Sequence, residues 1–65
     1  MSLPLASTVL AIPGELLVRI ELRQSPLSGE FVVLRNARAL LISHDYAVAR
    51  QCYRAEVDSW LNPSN

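Results

Sequence analysis

The chain has 65 residues, 51 % of them hydrophobic, and six arginines balance six carboxylates at a pI of ≈ 6.5. That length allows one domain at most, and a core of this size supplies only about 3–5 kcal/mol of net stability. A single cysteine, Cys52, excludes an internal disulfide, and one His with one Cys cannot close a four-ligand zinc site without further ligands. The absence of net charge gives no general attraction to nucleic acid or anionic membrane, and no apolar run approaches the ~20 residues of a membrane span.

In chain order, "MSLPLASTVLAIPG" opens without the basic segment of a secretory signal. Residues 1–6 read as a flexible end, and "STVLAI" (7–12) as a β-branched, apolar strand. Pro13-Gly14 then supplies φ near −65° followed by a tolerated positive φ, as a type II turn requires. "ELLVRIELR" (15–23) alternates as a strand, with Leu16, Val18, Ile20 and Leu22 on one face and Leu17, Arg19, Glu21 and Arg23 on the other. "QSPLSG" (24–29) concentrates turn residues, and "EFVVLR" (30–35) resumes as a strand. In "NARALLIS" (36–43) Ala and Leu favour a helix. A tight turn at Asn36-Ala37 would instead make Arg38 to Ile42 another strand of a meander, which is the expectation carried forward.

From Asp45 to Leu61 the period becomes helical, with Tyr46, Ala49, Tyr53, Val57 and Trp60 recurring at spacings of three and four. Ser43 or Asp45 can cap its start through a side-chain oxygen. Pro63 stops it, since a proline disfavours helical geometry at the residue before it, and 62–65 reads as a second flexible end. The fold expected is therefore a single α+β domain over 1–65: an antiparallel meander of three or four strands followed by one C-terminal helix.

That arrangement leaves apolar surface over. One helix covers one face of a small sheet, and the other face should then be polar at alternate positions. Here residues 30–35 and 38–42 are apolar on both faces, and Leu17 stands among charged neighbours. On the helix, Val48, Cys52, Ala55 and Ser59 read as a smaller stripe nearly opposite the main one. Leu17, Val48 and Cys52 are therefore the expected contacts with a second copy. A two-fold dimer comes first and a tetramer is the alternative.

Few residues point to chemistry. His44 precedes the helix and Cys52 lies two turns into it. Eight helical residues rise about 12 Å, so a Cys–His nucleophile within one chain is rejected. His44 with Asp45 lacks the second pair of ligands that a metal site needs. Gly14 and Gly29 sit in turns and build no phosphate loop. No catalytic residue, metal ligand or cofactor is expected. Arg50 and Arg54, one turn apart on the helix, are the best candidates for contact with a partner or with nucleic acid. Against the latter stand the zero net charge and pairing available from Asp58 to Arg54 and from Glu21 to Arg19 and Arg23. The composition suits a cytoplasmic, non-enzymatic module that self-associates and meets another protein. An arginine-based nucleic-acid regulator is the alternative.

Overall fold

The computed structural model describes residues 3–14 and 17–62. Four strands, β1 (Leu3–Ala11), β2 (Leu17–Gln24), β3 (Phe31–Arg35) and β4 (Arg38–Ser43), form one antiparallel sheet in chain order, and helix α1 (Tyr46–Leu61) follows. This is the expected meander with a C-terminal helix, and the ambiguous segment 36–43 is a turn and a strand. β1 begins earlier than the sequence pattern suggests: Leu3, Pro4 and Ala6, expected in a flexible end, pair with Gln24, Arg23 and Leu22. The expected stop at Pro63 lies outside the described residues, as do positions 15 and 16 of the second strand.

The turns explain the register. Gly14 has φ +76° and Gly29 φ +77°, the positive values that their turns need and that glycine adopts without steric cost. Between β2 and β3 the Ser25 N–H donates to the Glu30 carbonyl at 2.9 Å, and the Gly29 N–H to the Ser25 carbonyl at 2.8 Å. Between β3 and β4 only Asn36 and Ala37 separate the paired Arg35 and Arg38, at φ +50° and +69°. Two consecutive positive φ values match a type I′ turn, whose twist suits a two-residue hairpin. Asn36 is well chosen. Its N–H donates to the Arg19 carbonyl and its Oδ1 accepts the Arg19 N–H, both at 2.9 Å, which carries the β2–β3 pairing one step further.

Ala37 is less suited, because a Cβ in the left-handed region costs roughly 1–2 kcal/mol. Ala37→Gly is accordingly expected to raise stability by about 1 kcal/mol, the relief exceeding the extra chain entropy of glycine in the unfolded state. Urea denaturation checks it: the midpoint should rise with an unchanged slope. A lower midpoint would mean that residue 37 does not hold a positive φ in solution.

Pairing sets which side chains share a face. On the inner face Ala6, Leu22, Val33 and Leu41 form one cross-sheet row, and Thr8, Ile20 and Arg35 the next. The helix lies over β2, β3 and β4 on this side. Leu22, Val33 and Ala49 are buried together, with Ala6, Phe31, Leu41, Cys52 and Tyr53 packed around them. Val18 and Ile20 continue the buried row along β2. Phe31 meets the Tyr46 ring edge-on at 5.3 Å, and Thr8 Oγ1 and the Tyr53 hydroxyl share a hydrogen bond of 2.6 Å. Asp45 is the helix cap, accepting from the Ala47 and Val48 amides, while Ser43 Oγ accepts the Asp45 amide.

The helix face differs from the expected one in one respect. Cys52 belongs to the sheet-facing side, and so does Glu56. At about 100° per residue, positions 49, 52, 53, 56, 57 and 60 make a single stripe, and the half-buried residues of α1 follow it. The aromatic residues alone would centre the stripe nearer Tyr46, which is about half exposed, than Cys52.

Candidate functional site

Two depressions on the surface are open to solvent, and the described residues hold no metal-binding group of three or more His, Cys, Asp or Glu side chains. The features that invite contact are surfaces, of which the first is the outer face of the sheet. Its rows are Pro4, Arg23, Val32 and Ile42; then Ser7, Glu21, Leu34 and Ala39; then Val9 with Arg19; then Ala11 with Leu17. No described element covers this face. Val9, Leu17 and Ile42 keep 50 %, 63 % and 57 % of their surface in solvent. Leu40, which has no partner in register, marks a bulge in β4, and it too is exposed.

The apolar residues stand at the two ends of this face and the charges run between them along β2. Arg23 Nη1 and Glu21 Oε2 are paired at 2.9 Å, whereas the Arg19 guanidinium has no carboxylate partner among the described residues. Glu21 therefore binds one of the two arginines expected to flank it. Val9, Leu17, Arg19 and Glu21 line a shallow depression of ≈ 310 Å³ beside the Asn36-Ala37 turn.

The second surface is the solvent side of α1. Arg50 and Arg54 are exposed there, one turn apart, with Tyr46 and Asp58 along the same concavity of ≈ 630 Å³. The expected Arg54–Asp58 pair is not formed, and neither arginine has an ion pair or a side-chain hydrogen bond among the described residues. Val48 keeps 46 % of its surface exposed on this helix. Of the three residues expected to meet a second copy, Leu17 and Val48 are thus on the surface, and Cys52 is half-buried against the core.

His44 and Cys52 are held in different surroundings. His44 Nε2 lies 3.6 Å from Glu30 Oε2 at the exposed helix entry. Cys52 packs against Leu22, Val33 and Ala49, and its thiol is pushed above its ordinary pKa of 9.0, first by burial and then by the nearby Glu56 carboxylate. An attacking thiol needs the opposite shift. A raised folded-state pKa contributes stability that is fully present below the unfolded value and is lost as pH rises through the folded one. As pH rises past the ordinary thiol value the wild type should therefore lose more stability than Cys52→Ala, measured by urea unfolding at each pH. Parallel losses would show that the thiol ionises as freely in the folded chain as in the unfolded one.

One polar cluster escaped the sequence pattern. Glu56 Oε2 accepts from Arg35 Nη1 at 3.0 Å and from Trp60 Nε1 at 2.9 Å, while the Arg35 guanidinium stands 6.0 Å from the Trp60 ring centre. Glu56 and Trp60 are spaced i, i+4 on the helix, which could have signalled their contact. Arg35 reaches them only through the tertiary fold.

Compared with known proteins, the chain matches no family model, and no curated protein or solved structure is significantly similar to it. No described helix is long and apolar enough to cross a membrane.

Proposed function

We propose that this is a non-enzymatic interaction module that works as a homo-oligomer, a two-fold dimer in its simplest form, and presents its outer sheet face to another protein. The observation that carries the reading is the uncovered outer face, with Val9, Leu17 and Ile42 exposed, while only five hydrophobic residues among those described are buried. Scattered exposed apolar side chains are ordinary; groups of them at both ends of one uncovered sheet face favour a contact surface. The raised Cys52 pKa and the separate settings of His44 and Cys52 favour a binding role over thiol chemistry. A cytoplasmic setting suits a lone free thiol.

Light scattering coupled to size exclusion at low micromolar concentration tests the reading. A folded species at an integer multiple of 7.2 kDa supports it, and a well-folded single chain overturns it.

A second reading gains from Arg50 and Arg54, which have no ion-pair partner among the described residues. It makes the exposed side of α1 a nucleic-acid contact, duplicated by the oligomer. Affinity for DNA or RNA should then fall steeply with salt and weaken in Arg50→Ala/Arg54→Ala. Absence of binding at low salt would end it.

A further inference from the structure

We propose that the second copy joins at the free edge of β1, pairing β1 with its own symmetry mate in antiparallel sense to make a continuous eight-stranded sheet. The inference rests on the self-association proposed above and gives it a geometry. β1 and β4 are the two edges of the sheet, and they differ in kind. β4 has six residues, begins at Arg38 and carries a bulge, all features that discourage strand addition. β1 has nine residues, and no side chain from residue 1 to residue 14 is charged. Its protective features, Pro4 and the irregularity between Pro4 and Ala6, lie at one end and leave Ala6 to Ala11 as an unbroken edge.

A second copy is the fitting occupant because of what symmetry demands. In a two-fold antiparallel pair each residue near the axis faces itself or a close neighbour, so any charge there would meet its like. β1 satisfies that condition in every register between Leu3 and Ala11. Face-to-face stacking of two outer faces is disfavoured by comparison, because it would bury the Arg19 guanidinium, which has no carboxylate partner among the described residues, together with the charges of Glu21 and Arg23. Edge pairing leaves those groups in water. It also suits the helix, which lies over β2, β3 and β4 and reaches β1 through Tyr53 and Thr8. The inner side chains of the two β1 strands, Ala6, Thr8 and Leu10, come to lie between the two helices. The two outer faces join into one surface of double width on the opposite side.

Amide hydrogen exchange of the wild-type dimer, read residue by residue by NMR, tests this without altering the chain. An edge strand protects alternate amides, whereas a paired strand protects all of them, so continuous protection from Ser7 to Ala11 is expected. The companion variant is Val9→Lys, on a half-exposed outer-face position, which should reduce the mass to that of one chain, 7.2 kDa, with an unchanged far-UV spectrum. A wild-type dimer that keeps the alternating pattern, or a Val9→Lys protein that folds and remains dimeric, overturns the edge pairing and leaves self-association standing. A monomeric wild type overturns both. If Val9→Lys does not fold, the exchange pattern of the wild type decides alone.

Discussion

Ile20→Ala should bring the chain to the edge of unfolding at room temperature. Ile20 is fully buried in the middle of β2, between Thr8 on one neighbouring strand and Arg35 on the other. Truncating a buried isoleucine costs about 2–5 kcal/mol, from lost transfer energy and from the cavity left behind. A 65-residue domain has about 3–5 kcal/mol to lose, so the two quantities are of equal size. Ile20→Val, which removes one methylene, should cost about 0.5–1.5 kcal/mol and remain folded. Leu17→Ala, at an exposed position of the same strand, should stay within about 0.5 kcal/mol of wild type in a single chain. Far-UV circular dichroism with urea titration orders the three. An Ile20→Ala protein within 1 kcal/mol of wild type would contradict the packing of β2 described above.

Glu56→Ala should lower stability by about 2 kcal/mol, more than an exposed ion pair would suggest. Its carboxylate accepts from both Arg35 and Trp60 and is largely shielded, with 19 % of the side chain exposed. Removing it leaves the indole N–H and a half-buried guanidinium without their partner, and unpaired donors are costly out of water. A double-mutant cycle with Arg35→Ala isolates the Arg35–Glu56 term, expected at about 1 kcal/mol. Additive single losses, within about 0.3 kcal/mol, would mean that the pair contributes nothing between β3 and the helix.

These two sites differ in how visible they are in the sequence. Ile20 is legible, since alternation along 15–23 places it with Val18 and Leu22, and all three are buried. The strand at 38–43 was legible through Asn36, whose short amide side chain suits a positive φ and also ties the turn to Arg19. The early start of β1 was hidden by Pro4, which reads as a break yet fits an edge strand beside an irregularity. Cys52 falls on the sheet-facing side rather than the smaller stripe because Glu56, a charged residue on that side, reads in the sequence as a boundary of the apolar stripe. Only the position of Arg35 across the sheet explains why a carboxylate belongs there. As for the contact surfaces, the apolar residues on both faces of 30–42 were legible, and the outer face that they help to form is left uncovered by any described element. The asymmetry of the two edges depended on strand order, which no local pattern contains.

If this small fold associates with a second copy of itself, as proposed, its thermal unfolding depends on protein concentration. If folding and association are linked, mass action stabilises the folded state as the protein is concentrated, so Tm should rise by roughly 5–10 °C for a hundredfold increase from about 5 μM. A Tm that is the same at both concentrations, in a chain that unfolds reversibly, would contradict the proposed association.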